Sequence, residues 1–250
     1  MEIISFINKK GGVSKTTSCC NIGAIMAELE KKVLLIDLDS QGNLSQILGV
    51  NKFKYTMYDC LIKSIPLENA IIHTEFNVDI VPSDLNLSNA DAELLMKNNK
   101  ECTLKNLIKQ SNFSKYDYIL IDCLPSLDLL TINALVASDS FIIPLEASIL
   151  SIYGLTQLIQ IVKLVQKNLN TELKNKGVFL AKVDSRSTLP KNFSMQLKEI
   201  FGNKLFNTMI HQNTAIVRSQ INKQPINFYD KHSKGYKEYL ELAKEVLSRG

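Results

Sequence analysis

The chain has 250 residues, 45% of them hydrophobic and 22% charged, with a formal net charge of +4. That is enough apolar material for one α/β domain with a large core, too little length for a second sizeable domain, and no apolar run approaches the ~20 residues of a membrane span. Five cysteines, Cys19, Cys20, Cys60, Cys102 and Cys123, form no C-x-x-C pair, which argues against a disulfide framework or a zinc site, and the mild basicity permits a nucleic-acid surface without demonstrating one.

Met1-Glu2 leads straight into Ile3-Ile4-Ser5-Phe6-Ile7 with no signal-peptide layout, so a cytosolic protein is expected. The apolar run reads as a strand, Asn8 to Thr17 as a loop, and Asn21 to Glu30 as helix-like. Strand, glycine pair, lysine and hydroxyl residue form the pattern of a phosphate loop. Gly11 and Gly12 let backbone N–H groups approach phosphate oxygens, and the following helix turns its positive end toward the same anion. Val13, Ser14 and Thr17 complete the predicted ATP-binding loop, while Lys15 supplies charge for the terminal phosphates and Thr16 a hydroxyl for magnesium.

The strict pattern G-x-x-x-x-G-K-[ST] fails twice, because Lys9 and Ser14 stand where its glycines belong. The form K-G-G-x-x-K-[ST] is met by Lys10, Gly11, Gly12, Lys15 and Thr16. In this the segment resembles the deviant Walker A ATPases, and within them the ParA/Soj plasmid- and chromosome-partition proteins. The resemblance implies that Lys10 reaches across a dimer interface to the partner subunit's nucleotide. Two neighbouring ammonium groups repel unless polyphosphate neutralises both, which makes ATP a reasonable glue between two subunits. The alternative is that Lys9 and Lys10 are solvated loop lysines.

Val33 to Ile36 is a continuous apolar run of the kind buried on both faces of a parallel sheet. It ends in Asp37-Leu38-Asp39-Ser40-Gln41-Gly42-Asn43, at the carboxyl end of a strand, where open α/β sheets bind ligands. Alternation sets Asp37 and Asp39 on one side, so that one or both face the magnesium at Thr16. The segment resembles the family's switch I, which implies that Asp39 orients the attacking water and Asp37 supports the metal shell; the alternative is a turn of backbone-bonding loop residues. Helical spacing is expected over Thr56 to Ile62 and Asn86 to Asn98, a strand and turn over Val78 to Ser83, and a solvated helix junction over Lys97 to Lys105.

Tyr116 to Asp122 is an apolar strand capped by an acid, the form of a Walker B segment, in which Asp122 holds a water of the magnesium shell. Pro125, Ser126, Asn133, Ala134 and Leu135 agree with the family, and Leu124 replaces a proline. Cys123 reads as a packing residue, since His73, His211 and His232 share no motif with it. Phe141 to Glu146 reads as a strand, Ile149 to Leu169 as a long helix, and Gly177 to Asp184 as a buried strand ending in an acid. By resemblance Asp184 accepts from the adenine amino group. Near the end of the chain, Gln212 and Ala215 stand where the family places basic DNA contacts. Arg186, Arg218 and Lys223 are the candidate substitutes for phosphate contacts, with Lys231, Lys234 and Lys237 as further cations.

The expectation is therefore a single domain over 1–250, a doubly wound, mostly parallel β-sheet flanked by helices, with no N-terminal helix-turn-helix extension. The resemblance implies a weak, partner- and DNA-stimulated ATPase in which Mg-ATP closes a homodimer. That dimer binds DNA non-specifically, associates with the nucleoid and answers to a ParB-like centromere-binding adaptor. Two alternatives stand beside it. One is a related positioning ATPase acting on another cargo or on membrane, as MinD does; the closing helix lacks the basic apolar tail of a membrane-surface helix, and stable membrane insertion is not expected. The other is an interaction module that holds nucleotide without turnover, which Ser14 keeps open, because a Cβ at φ > 0 costs about 1–2 kcal/mol.

Overall fold

A computed structural model of the chain describes residues 1–186 and 189–249, except the side chains of 149–150, 152–153 and 189–192. Its centre is a seven-stranded sheet, made of β1 (Glu2–Phe6), β2 (Val33–Leu38), β3 (Ile72–His73), β4 (Asp79–Val81), β5 (Tyr118–Cys123), β6 (Ser140–Glu146) and β7 (Lys174–Ala181). The spatial order is β3-β4-β2-β5-β1-β6-β7, and only the short edge strand β3 runs antiparallel to its neighbour. The expected doubly wound sheet is thus present.

The helices are α1 (Lys15–Glu28), α2 (Asn43–Ile47), α3 (Met57–Lys63), α4 (Ala90–Leu94), α5 (Thr103–Gln110), α6 (Leu129–Ala137), α7 (Ile149–Asn168), α8 (Leu189–Phe201), α9 (Thr214–Ile221), α10 (Ile226–Tyr229) and α11 (Lys234–Ser248). They cover both sheet faces because the strands are apolar on both. Leu34 and Ile36 join one core with residues of α3 to α8, whereas Val33 and Leu35 join the other with α1 and α11. The period-2 alternation of the strands is what divides the two cores.

Several boundaries differ from the sequence reading for local reasons. α1 begins at Lys15, not Asn21, because Ser14 turns left-handed and its carbonyl accepts from Ser18, opening the helix at once. The strand expected to reach Asp184 stops at Ala181, since Lys182 takes φ 54°; Val183 instead exchanges backbone bonds with Ile210 and Gln212, seating the 210–212 segment along the sheet edge. The helix expected over 86–98 shortens to a 3₁₀ turn and α4, leaving Leu95 and Met96 exposed. Lys97, expected to be solvated, donates to the carbonyls of Leu61 and Ile62 at 2.7 and 2.9 Å, satisfying orphaned groups at the end of α3.

At the amino edge, Lys176 of β7 crosses β6 to Glu2 of β1 at 2.6 and 2.7 Å, with its side chain only 2% exposed. Ser140 of the intervening strand donates to the same carboxylate. Removing one partner leaves a buried charge uncompensated, so Glu2→Ala should lower the unfolding free energy by about 3 kcal/mol, read as a fall in the urea midpoint.

Candidate phosphate-binding site

β1, β2 and β5 are parallel and in register, and Asp122 stands opposite both Phe6 and Asp37. Their carboxyl ends therefore bring the loop after β1, Asp37 and Asp122 to one level, beside the switch point where the chain, having crossed to β2, returns to the other side of β1. A cavity of about 1090 Å³ opens there, lined by Gly11, Gly12, the Ser14–Thr17 segment, Asp39 and residues 210–214.

The loop is held from below. Asn8 donates to the Pro144 carbonyl at 2.8 Å and accepts from the Lys10 N–H at 2.9 Å. Gly12 has φ 74° and Ser14 φ 69°, so two of the three residues before Lys15 are left-handed and one of them carries a Cβ. Lys15 is 6% exposed, and its ammonium donates to the Lys10 carbonyl at 3.2 Å. Burial lowers the Lys15 pKa, opposed by the charges of Asp122 and Asp39.

The two acids of the second segment diverge. Asp37 is fully buried and accepts from the Ser45 N–H and hydroxyl, at 3.0 and 2.8 Å, and from the Asp39 N–H at 3.2 Å. It ties α2 to the loop and does not line the cavity, whereas Asp39, 8% exposed, does. Gly42 has φ 60°, and a Cβ there would stand 3.0 Å from the Ser83 carbonyl oxygen, which gives the glycine between the two acids and α2 its reason. Burial raises the Asp37 carboxyl to about 6 despite its three hydrogen bonds. Burial and then the charge of Asp37 push the Asp122 carboxyl up as well.

Asp122 is the one acid among the described residues whose buried oxygens both lack a hydrogen-bond partner of full geometry, although the Thr16 hydroxyl approaches closely enough to favour its charged form. An orphaned carboxylate beside a threonine hydroxyl and a phosphate-sized cradle fits magnesium, reached through water as in P-loop sites. Among the described residues no three His, Cys, Asp or Glu side chains gather to hold a metal unaided. Such an ion would need oxygens from its phosphate ligand.

Lys10 points elsewhere. Its ammonium pairs with Glu146 at 2.7 Å and reaches Ser148 at 3.3 Å, at the junction of β6 and α7. Asp184 and Arg186 pair with each other, two bonds of 3.1 Å, and neither lines the cavity. Arg218 is exposed on α9, and Lys223, with φ 55°, lines the cavity just beyond that helix. Cys123 is buried and its thiol is pushed up by desolvation, as suits a packing residue. Two contacts escaped the sequence reading. Gln220 of α9 donates to the Thr17 hydroxyl at 2.6 Å, and His211 is held by Glu238. Partners 203 and 27 residues apart leave no local spacing signal.

Fold and site together define a P-loop nucleotide-binding protein with the deviant, two-lysine form of the loop. A family model described as an AAA domain matches residues 1–175. The sporulation initiation inhibitor protein Soj of Bacillus subtilis (strain 168) is 41% identical over 252 residues, covering 100% of this chain and 99% of that protein. The chromosome-partitioning ATPase Soj of Treponema pallidum (strain Nichols) is 39% identical, covering 99% and 98%. Among solved structures, cobyrinic acid a,c-diamide synthase from Mycobacterium smegmatis, with bound ATP analog and magnesium, superposes with a TM-score of 0.86 at 29% identity, covering 99% of this chain and 94% of that one. The chain belongs to the Soj/ParA family of partitioning ATPases.

Two outcomes follow from this geometry. Ser14→Gly removes a steric cost of about 1–2 kcal/mol at φ 69° and adds about 0.5–1 kcal/mol of unfolded-chain entropy, so the nucleotide-free protein should gain roughly 0.5–1 kcal/mol, read from the denaturant midpoint. A carboxyl raised in the folded state contributes stability that is present below its unfolded value of 3.8 and lost as pH rises through about 6. Ligand-free protein should therefore become more stable as pH falls from 7 toward 4, by up to about 1.4 kcal/mol per pH unit for each proton taken up, and Asp37→Asn should flatten that slope.

Proposed function

We propose that this chain is a DNA-partition ATPase whose Mg-ATP form is a face-to-face dimer that binds DNA without sequence choice. The observation that carries the reading is the second lysine, Lys10, set on the phosphate loop yet directed away from its own Lys15 and toward β6 and α7. A cation so placed is available to a second molecule's triphosphate, once that anion outcompetes Glu146. The half-exposed Lys10–Glu146 pair is a weak restraint, since ion pairs at the surface are worth little.

ATP would lie with its phosphates against Gly11 to Thr17. The backbone N–H groups of the loop and the start of α1 would bind the phosphates, and Lys15 would hold the charge that develops on the γ-phosphoryl oxygens. Asp39, free of α2 and facing the cavity, would accept from the attacking water and aim it in line. Magnesium, held by Thr16 and through water by Asp122, would neutralise charge on the β- and γ-oxygens when bound. Asp37 would act by fixing the loop that carries Asp39. The Treponema pallidum relative, named for chromosome partitioning, supports the cargo class, and its similarity over 99% of this chain supports carrying that class over. No helix among the described residues is long and apolar enough to cross a membrane. In this reading the protein is cytoplasmic, gathers on the nucleoid with ATP, and is released when a centromere-bound adaptor stimulates hydrolysis. Arg218 and Lys223 are the candidate phosphate contacts; Arg186 is engaged by Asp184.

The test compares oligomeric state and DNA co-sedimentation in ADP and ATP. Asp39→Ala should retain Mg-ATP, lose phosphate release by at least about a hundredfold, and accumulate as a DNA-bound dimer that salt disperses. A monomer under saturating Mg-ATP in that variant would overturn the dimer reading. Normal turnover would overturn the role of Asp39.

A further inference from the structure

The cavity extends well beyond the phosphate loop. With the terminal phosphates placed at Lys15 and Asp39 as proposed above, the lining left for sugar and base includes Lys182 and the 210–213 segment. Asp184, the acid that the family resemblance assigns to the base, is committed to Arg186 outside the cavity. Two polar side chains are fixed in place at that end: Asn213, whose Oδ1 is committed to the Ala215 N–H at 2.8 Å as the cap of α9, and His211.

Glu238 of α11 clamps His211 twice. One carboxylate oxygen accepts from the His211 backbone N–H at 2.8 Å, and the other faces ring Nδ1 at 2.6 Å. Lys234, one turn back on α11, shares that second oxygen at 3.4 Å. The segment itself is held by the backbone bonds between Val183 and both Ile210 and Gln212. A carboxylate can only accept, so Nδ1 carries the hydrogen, and in the neutral ring Nε2 is left with a lone pair. Nε2 has no hydrogen-bond partner among the described residues, and the side chain is 26% exposed at the cavity wall.

We propose that His211 selects the purine of the bound nucleotide, its Nε2 accepting from the 6-amino group of adenine and disfavouring purines that carry a carbonyl at that position. A 6-carbonyl would set one lone pair against another and leave both unpaired, which is the arrangement that sites built for hydrogen bonding discriminate against. Glu238 is a positioning residue in this account, acting through the tautomer and angle of the ring. The inference rests on the nucleotide reading above and adds to it the group that reads the base.

The experiment measures dissociation constants of the full chain, with magnesium, for ATP and for inosine triphosphate, which differs by the 6-carbonyl. Wild type should prefer ATP by roughly tenfold. His211→Ala should bring the ratio to within about twofold, and Glu238→Gln should reduce it partway. The ratio is its own control, because a partly misfolded preparation scales both affinities alike. If neither nucleotide binds, the reading of the site as nucleotide-binding fails and takes this inference with it. If both bind but wild type shows no preference, prefers inosine, or keeps its preference in His211→Ala, the role of His211 is overturned while the nucleotide reading stands.

Discussion

One buried ammonium among three carboxylates is the constraint on which the rest depends. Lys15 sits beside Asp122 and Asp39, with Asp37 behind them, and all four are less than a tenth exposed. Negative charge is in excess, and burial raises two of the acids toward neutrality. An apolar interior tolerates such a group poorly unless further cations and anions complete it. A magnesium-bound polyphosphate supplies both signs at once, so the charge of the site and the geometry of its loop suit the same ligand.

The scaffold makes that concentration of charge possible. Parallel strands share one carboxyl edge, and the order β2-β5-β1 places Asp37 and Asp122 opposite each other with the loop next to them. The apolar strand runs supply the burial that shifts the carboxyls, and the same packing fixes their positions. Strain is held in the same region: Ser14 is left-handed with a Cβ. Positions of that kind persist only where the surroundings over-determine them.

How much of this was legible varied by distance along the chain. The phosphate loop was readable because glycines, lysine and threonine lie within seven residues, each chosen for local geometry or charge. The strands were readable because burial on both faces demands unbroken apolar runs. Asp184 illustrates the opposite case: an acid after a strand looks like a ligand group, but whether it meets the cavity depends on where the strand stops. Lys182 ends β7 early, and the acid pairs with its neighbour Arg186.

The sequence by itself determined the alternation of elements, the phosphate loop with its two lysines, and the three acids at strand ends, since all of these follow from short-range periodicity and spacing. Only the tertiary structure decided that Asp39 faces the cavity while Asp37 braces α2, that Lys10 turns to Glu146, and that His211 and Gln220 border the same space. Those outcomes depend on which distant segments pack together, and packing is settled by the shape of the whole core, which no local pattern encodes.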